Sequence, residues 1–394
     1  MSLTDKLADH IRALPRSGIR EFFELVLQQG NVISLGVGEP DFVTPWHIRE
    51  AAIYSLEKGQ TSYTSNLGLL DLRKAISNYV SGHFRLRYDA ASEVLVTVGV
   101  SEALDLAFRA LLNPGDEVIY HEPCYVSYNP SIAMAHGVPV PVETRSEDDF
   151  ALKAETVAAA ITPRTKILML NFPTNPTGAV LPRSELEKIA DLAIRHDLIV
   201  FTDEIYTELM YDRPADWCSI AALPGMRERT ILFHGFSKAF AMTGFRLGYA
   251  CSPPELTEAM MKIHQYSMLC APITSQAAGI EALENGAAAV EDMRREYQRR
   301  RNLVVRRLND MGLACFKPGG AFYVFPDIRS TGLDSRAFAT ALLKEESVAV
   351  VPGTAFGRCG EGFVRCCYAT DPAQLETAME RMDRFVARRS PVLA

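Results

Sequence analysis

Four short apolar runs of this sequence each end in polar residues that could do chemistry. They end in residues 99–101, which include a serine, in 171–178, which include two asparagines, in 203–206, and in 234–238, which close on Lys238. Ligands of open α/β sheets bind at the carboxyl ends of the strands, so we expect an amide, a carboxylate, a phenol and an amine to meet at one rim. A lysine that loses its proton there can attack a carbonyl carbon, and a desolvated or cationic environment favours that loss.

The segments that must position these residues alternate between strand and helix patterns. One helix is predicted from Ser101, as its N-cap, to Leu112, and another from Arg183 to Arg195. A turn is predicted at 113–116. Short apolar strands that alternate with helices predict an α/β fold, in which a mainly parallel mixed sheet lies between helices. The predicted strands are 93–99, 117–120, 166–170, 198–202, 230–233 and 246–251.

The last third of the chain has a different pattern. A long charged helix is predicted over 286–311, followed by a strand at 321–326, a helix at 335–345 and a strand at 362–368. This succession indicates a smaller α+β domain, with which the segment up to residue 45 is expected to pack. The predicted division is an N-terminal arm with part of the small domain (1–45), a large domain (46–285) and a C-terminal small domain (286–394).

The composition narrows the class of protein and its compartment. The 394 residues carry a formal charge of −7, and this acidic balance does not indicate binding to nucleic acid or to an anionic membrane. Eight cysteines without a Cys-x-x-Cys pair indicate neither a zinc ribbon nor a thioredoxin-like site, and no metal site is predicted. The first residues contain no apolar signal segment, and no run of about 18 apolar residues occurs. We therefore expect a cytoplasmic protein with no membrane or nucleic-acid partner.

Three motifs of this sequence occur in a known order. The Ser-Lys-Ala-Phe-Ala-Met-Thr-Gly-Phe-Arg-Leu-Gly-Tyr sequence at 237–249 is the most specific, and Asn-Pro-Thr-Gly at 175–178 and Asp-Glu-Ile-Tyr at 203–206 precede it. With them, the chain from residue 35 to residue 365 resembles the fold-type-I aminotransferases of class I/II, which depend on pyridoxal 5′-phosphate (PLP). The resemblance implies PLP as the cofactor and makes the large domain a PLP-binding domain.

The resemblance assigns the reacting end of the cofactor to four residues. Lys238 is expected to hold PLP as a Schiff base, and Asp203 to face the pyridine nitrogen and keep it protonated. Tyr206 and Asn175 are expected to hydrogen-bond to the 3′-oxygen. Asp203 also suits a helix N-cap, and Asn175 suits a turn, so each has a structural interpretation beside the chemical one.

The same resemblance places the phosphate and the ring of the cofactor. The backbone N–H groups of Val100 and Ser101 are expected to open a helix and form an anion site, to which Arg246 adds a planar cation and Ser237 a hydroxyl. Tyr125 is expected to stack on the ring, with a tyrosine of the hydrophobic core as the alternative.

The resemblance also implies a substrate site and a second subunit. Arg365 is expected to bind the α-carboxylate of the amino-acid or oxo-acid substrate through two parallel donors, with Val37, Gly38 and Asn175 beside it. Tyr63 resembles the tyrosine that reaches the phosphate of the neighbouring subunit. A homodimer with shared active sites is therefore expected.

Two positions depart from the family pattern, and the choice of substrate stays open. Phe245 stands where Trp is commoner, and Gly235 stands where Ser is commoner, which removes one phosphate donor. Residues 17–22 and 263–266 resemble bacterial enzymes for aspartate, aromatic amino acids or N-acetyl-diaminopimelate. The sequence does not separate these donors.

The reaction that the resemblance favours is a ping-pong transamination, in which an L-amino acid gives its amino group to a 2-oxo acid such as 2-oxoglutarate. A freed Lys238 would carry the Cα proton to C4′ as general base and acid. A carbon–sulfur lyase and an aminocyclopropane-carboxylate synthase share the cofactor residues and stay as alternatives. A PLP-binding transcription regulator fits less well, because the motifs begin near residue 35 and the chain is acidic. A nicotinamide dehydrogenase is disfavoured, because no Gly-x-Gly-x-x-Gly follows a strand.

Overall fold

The computed structural model describes residues 3–14 and 30–389, so the segment 17–22 lies outside the described residues. The strands are β1 (Ile33–Ser34), β2 (Val94–Thr97), β3 (Glu117–Glu122), β4 (Val138–Glu143), β5 (Thr165–Asn171), β6 (Ile199–Asp203), β7 (Thr230–Gly235), β8 (Gly248–Cys251), β9 (Tyr323–Val324), β10 (Val348–Ala349), β11 (Val351–Pro352) and β12 (Val364–Cys367). Seven of them form one sheet in the order β2-β8-β7-β6-β5-β3-β4. Strand β8 is antiparallel to both neighbours and the other pairs are parallel, which confirms the mainly parallel mixed sheet.

Helices flank this sheet and dominate the rest of the described chain. The predicted helix 183–195 is confirmed at both ends, and the helices predicted at 286–311 and 335–345 are confirmed to within a residue at each end. The helices are α1 (Asp9–Arg12), α2 (Trp46–Glu57), α3 (Leu70–Phe84), α4 (Val100–Leu111), α5 (Tyr128–Met134), α6 (Ala154–Ala160), α7 (Arg183–Arg195), α8 (Phe236–Ala239), α9 (Pro254–Ser267), α10 (Ile273–Asn285), α11 (Ala287–Asp310), α12 (Ser335–Glu346) and α13 (Pro372–Ala387).

The burial of each strand explains which strands the sequence revealed. Every residue of β2, β7 and β8 is buried, and the sequences of these strands are therefore mainly apolar without alternation. Strand β4 was not predicted, because Pro139 and Pro141 interrupt its pattern. It lies at the edge of the sheet, where the missing N–H of proline removes no essential ladder bond.

The start of α4 differs from the prediction. Gly99 is the N-cap and the helix begins at Val100, so the prediction of Ser101 as N-cap is wrong, and Ser101 lies inside the first turn. Gly99 has a φ of +77°, a conformation that favours glycine. Tight packing accounts for the choice, since a Cβ on Gly248 would come within 2.6 Å of the Val100 nitrogen and a Cβ on Gly99 within 2.8 Å of Arg246 Nη2.

The C-terminal third and the segment near residue 35 contribute to one hydrophobic core. Strand β1 pairs in parallel with β10, with Ile33 opposite Val348. Leu35 belongs to the same cluster of buried residues as Phe338 and Phe385. An antiparallel sheet of β11, β12 and β9 completes this part of the molecule. The domain bounds at residues 45 and 285 stay a prediction.

None of the helices in residues 3–14 and 30–389 is both long enough and apolar enough to cross a membrane. The same residues contain no group of three or more His, Cys, Asp or Glu side chains that could hold a metal ion.

Candidate active site

A cavity of about 500 Å³ opens where β5, β6 and β7 end, beside the start of α4. Most of the residues that the sequence singled out line it. They are Gly38, Val100, Ser101, Tyr125, Asn175, Asp203, Tyr206, Ser237, Lys238, Arg246 and Arg365. Val37 and Tyr63 are not among the lining residues, and their exposed fractions are 39% and 82%. The expected amine, carboxylate, phenol and amide therefore lie around one cavity.

Lys238 lies on α8, the single helical turn that directly follows β7. Its Nζ donates a hydrogen bond of 2.7 Å to the carbonyl oxygen of Gly38. Burial of the side chain lowers the pKa of Lys238 to about 8, because the charged form is poorly solvated there. More of this amine is neutral near pH 7 than in an ordinary lysine, which suits a nucleophile or a general base.

Asp203 is the last residue of β6 and is only 4% exposed. Burial raises the pKa of its carboxyl group to about 6, although two hydrogen bonds act in the opposite direction. Its Oδ2 accepts 2.7 Å from the hydroxyl of Tyr128, and its Oδ1 accepts 3.2 Å from the N–H of Ile205. The second bond stabilises the turn after β6, so Asp203 has a structural role whether or not it also faces a cofactor.

The turn after β6 is fixed by the buried carboxylate of Glu204. This group accepts hydrogen bonds from the hydroxyls of Thr202, Thr207 and Ser219 at 2.9, 2.7 and 2.6 Å. The turn directs Tyr206 into the cavity, where its hydroxyl lies 2.9 Å from that of Tyr323.

Two tyrosines of the site were missed by the sequence reasoning. Tyr128 binds Asp203, and its position three residues after Tyr125, about one helical turn, was the signal that could have placed it on the same face. Tyr323 lies on a two-residue strand and meets Tyr206 from 117 residues away, so no local pattern announced it.

The start of α4 carries groups that could bind an anion. The first N–H groups of a helix have no partner within the helix, and Val100 and Ser101 open this one. The guanidinium of Arg246 lies against the same turn, as shown by its closeness to Gly99, and Ser237 lines the cavity nearby. Backbone donors, a helix dipole and a cation therefore face one spot, which suits a phosphate group.

Arg365 lines the same cavity and is 3% exposed. Its Nη1 donates to Asn175 Oδ1 at 2.9 Å and its Nη2 to the carbonyl oxygen of Gly36 at 2.6 Å. Its Nε has no hydrogen-bond acceptor, and no carboxylate of the described residues lies within 4.0 Å of the guanidinium. A buried cation that lacks a counter-charge favours the binding of an anion such as a carboxylate.

These groups fit PLP. An amine with a lowered pKa suits the aldehyde of the cofactor, a buried carboxylate suits its ring nitrogen, and the donors at the start of α4 suit its phosphate. The backbone at Gly38 also packs closely against the site, since a Cβ at this position would lie 2.7 Å from the Tyr323 hydroxyl. The individual contacts of each residue with the cofactor and substrate stay predictions.

Comparison with known proteins agrees with this chemistry. The family model for class I and II aminotransferases matches residues 30–382. The chain is 54% identical to the Bacillus subtilis protein YugH, which has a provisional assignment as an aminotransferase, over 98% of this chain and 99% of that protein. It is 46% identical to the aspartate aminotransferase of Pyrococcus abyssi, over 97% of this chain and 99% of that protein. The crystal structure of an aromatic aminotransferase from Pyrococcus horikoshii matches with a TM-score of 0.89 at 48% identity, over 94% of this chain and 99% of that chain. The chain therefore belongs to the class I and II aminotransferases, a family of PLP-dependent enzymes.

Proposed function

We propose that this enzyme moves the amino group of an L-amino acid to 2-oxoglutarate in a ping-pong reaction. One observation carries the proposal: Lys238, with its lowered pKa, and the buried Arg365, with its free Nε, line the same cavity. An amine that can bind a cofactor aldehyde and a cation that can orient a carboxylate are what transamination of an α-amino acid requires.

Four residues prepare the reaction by holding the cofactor. When bound, PLP supplies an electron sink for the electron pair that remains on Cα after its proton leaves. Asp203 would hold a negative charge toward the pyridine nitrogen, and Tyr206 would donate a hydrogen bond to the ring oxygen. Asn175 Oδ1 is already occupied by Arg365, which leaves its Nδ2 free to donate to the same ring oxygen. Tyr125 would cover one face of the ring.

Lys238 moves the proton. When it is not bonded to the cofactor, its amine would remove the proton from the substrate Cα and deliver it to C4′. A pKa of about 8 keeps this amine near the balance between accepting and releasing a proton. The carbonyl of Gly38, 2.7 Å from Nζ, orients the amine for this step.

Arg365 selects the substrates. A donor amino acid and an acceptor oxo acid have their α-carboxylate in common, so one arginine orients both half-reactions. Val37 and Gly38 approach the same substrate, and Gly38 lies beside Arg365, since a Cβ on Gly38 would lie 3.7 Å from Arg365 Nη1. The donor is aspartate, an aromatic amino acid or a diaminopimelate-type amino acid, and the names of two similar enzymes support the first two. The cytoplasmic location stays a prediction.

The active enzyme is a homodimer in which Tyr63 reaches the phosphate of the neighbouring subunit. Tyr63, Tyr266 and Met268 are 82%, 88% and 51% exposed. A bond of 2.8 Å from Asn66 Nδ2 to the carbonyl oxygen of Leu269 joins the loop of Tyr63 to the end of α9. Exposed apolar residues on adjoining segments support a protein–protein interface there.

Half-reaction spectra test the proposed function. The holoenzyme is mixed with one amino acid at a time, without an acceptor, and the absorbance of bound PLP is followed. Transamination converts PLP to pyridoxamine phosphate with one oxo acid per site, and 2-oxoglutarate then restores the starting spectrum. A lyase returns PLP without any acceptor, and that result with every donor would contradict the proposal.

A further inference from the structure

The backbone link between the two segments that carry the site ends just before their chemical groups. Strands β6 and β7 pair up to Asp203 opposite Phe233, and the N–H of Glu204 makes a last bond of 2.9 Å to the Phe233 carbonyl. Strand β7 then continues to Gly235, where its strand partner is β8. Tyr206 and Lys238 both lie beyond the β6–β7 ladder, so this ladder does not fix their relative position.

A buried pair of side chains joins the two segments beyond that point. His234 Nε2 lies 2.8 Å from Glu208 Oε1, and the two residues are 1% and 6% exposed. Glu208 lies in the 3₁₀ turn Thr207–Leu209, two residues after Tyr206, and His234 lies four residues before Lys238. The His234–Glu208 pair therefore ties the segment with the phenol to the segment with the amine.

The pair is anchored to a third element, and each partner favours the charged form of the other. The hydroxyl of Tyr79, on α3, donates to Glu208 Oε1 at 2.6 Å, and His83 Nε2 lies 3.5 Å from the same oxygen. Burial raises the pKa of Glu208, but the charge and the hydrogen bond of His234, with the charge of His83 and the hydrogen bond of Tyr79, outweigh it and bring the value to about 2. Burial lowers the pKa of His234, and Glu208 raises it above its ordinary value. The other charged or titratable groups around the pair are Glu204, Arg213 and Tyr249.

We propose that His234 and Glu208 are positioning residues, which set the placement of Lys238 relative to Tyr206 during the reaction. The inference rests on the proposed function. Neither residue is among those that line the active-site cavity, so each acts through its neighbours in the chain. Without the pair, the turn 203–206 and helix α8 are held together less firmly, and the hydrogen bond from Tyr206 to the ring oxygen of the cofactor weakens. A hydrogen bond to a charged form favours that form, so its weakening raises the pH at which the bound chromophore loses its proton.

The test compares Glu208→Ala and Glu208→Gln with a matched control in the holoenzyme. Glu93→Gln is the control, because Glu93 is also a buried carboxylate (7% exposed) in an ion pair, 2.7 Å from Arg227. It precedes β2, at the end of the sheet away from the cavity. For each variant the pH midpoint of the cofactor absorbance, kcat, KM and the unfolding temperature are measured. The midpoint is the readout that a purely structural role would leave unchanged.

We expect Glu208→Ala to raise the midpoint by at least about half a pH unit and to lower kcat about tenfold with little change in KM. Glu208→Gln keeps a side-chain oxygen toward His234, so it should fold readily and move the midpoint in the same direction by a smaller amount. Glu93→Gln should lower the unfolding temperature and leave the midpoint in place. An active wild type whose Glu208 variants keep its midpoint, or share their shift with Glu93→Gln, contradicts this inference alone. A wild type without transaminase activity contradicts the proposed function as well.

Discussion

Replacement of Asp203 by asparagine should lower activity and raise the stability of the cofactor-free protein. Both effects have the same origin, because the carboxylate is held in a buried position that favours its neutral form. In the active enzyme the positive ring nitrogen offsets that cost, and asparagine cannot supply the opposite charge. A residue kept for catalysis at the expense of stability is expected to show these opposite signs.

The size of the stability effect follows from the pKa. The value of about 6 for folded Asp203 lies roughly two pH units above its ordinary value of 3.8, which corresponds to about 3 kcal/mol of destabilisation at pH 7. Asparagine retains one oxygen for the bonds from Tyr128 and Ile205, at a loss of about 1 kcal/mol. The net gain in unfolding free energy at pH 7 is therefore about 2 kcal/mol.

The pH dependence has a definite sign. Because the folded pKa is raised, the protonated carboxyl contributes stability below about pH 4, and this contribution is lost as the pH rises through 6. Between these values the cofactor-free wild type should lose stability relative to Asp203→Asn. In acid the order should reverse, and the wild type should be more stable by about 1 kcal/mol, which is the hydrogen-bonding loss of the asparagine.

Urea unfolding of the cofactor-free proteins at several pH values and steady-state kinetics of the holoenzymes measure the two effects. The rate should fall at least about a thousandfold, or about 4 kcal/mol of transition-state stabilisation. Tyr128→Phe is the matched control, since it removes a donor and leaves the charge, and it should cost far less activity. A rate for Asp203→Asn within about tenfold of wild type, together with lower stability at pH 7, would refute the reasoning and leave Asp203 as a turn residue.

Two further predictions concern the substrate and the second subunit. Arg365→Lys keeps the charge but loses the fork held by Asn175 and Gly36, so KM should rise for two dissimilar donors and for 2-oxoglutarate alike, and kcat should fall. A loss confined to one acidic substrate in those kinetics would mean that Arg365 binds the side chain of that substrate and not the α-carboxylate. Subunits with Lys238→Ala and subunits with Tyr63→Ala should each be inactive alone, and mixed dimers of the two should recover activity. One of the two active sites in such a dimer takes its Lys238 from one subunit and its Tyr63 from the other, and both of these residues are unmutated. Verified heterodimers without activity, or an active monomer in sedimentation, would contradict the shared site.

The core elements of the fold were predictable because local patterns carry them. Strands buried on both faces have continuous apolar sequences, and helix α7 has a polar start and an apolar stripe within 183–195. Strand β4 was not predictable from pattern, since its two prolines are tolerated by its place at the edge of the sheet, and that place is a property of the whole sheet. The N-cap at Gly99 likewise depends on Arg246 and Gly248, almost 150 residues away.

The candidate site divides in the same way. Lys238, Asp203, Tyr206 and Arg246 occur in motifs whose order could be read, and the ends of parallel strands bring such motifs together. The side-chain hydrogen bonds that support these residues join distant parts of the chain. Tyr128 reaches Asp203 across 75 residues, and His234 reaches Glu208 across 26. Such pairs leave no periodic signal, because each forms only when the sheet has brought its strands together.

Lys238 is the residue that we expect to bind the cofactor covalently. The holoenzyme is reduced with borohydride, digested and mapped by mass spectrometry, and Lys238→Ala is treated in parallel. We expect the reduced cofactor on the peptide that contains Lys238, and a folded Lys238→Ala protein that retains no label and no turnover. A label on any other lysine of the wild type, or an active Lys238→Ala enzyme, would contradict the account.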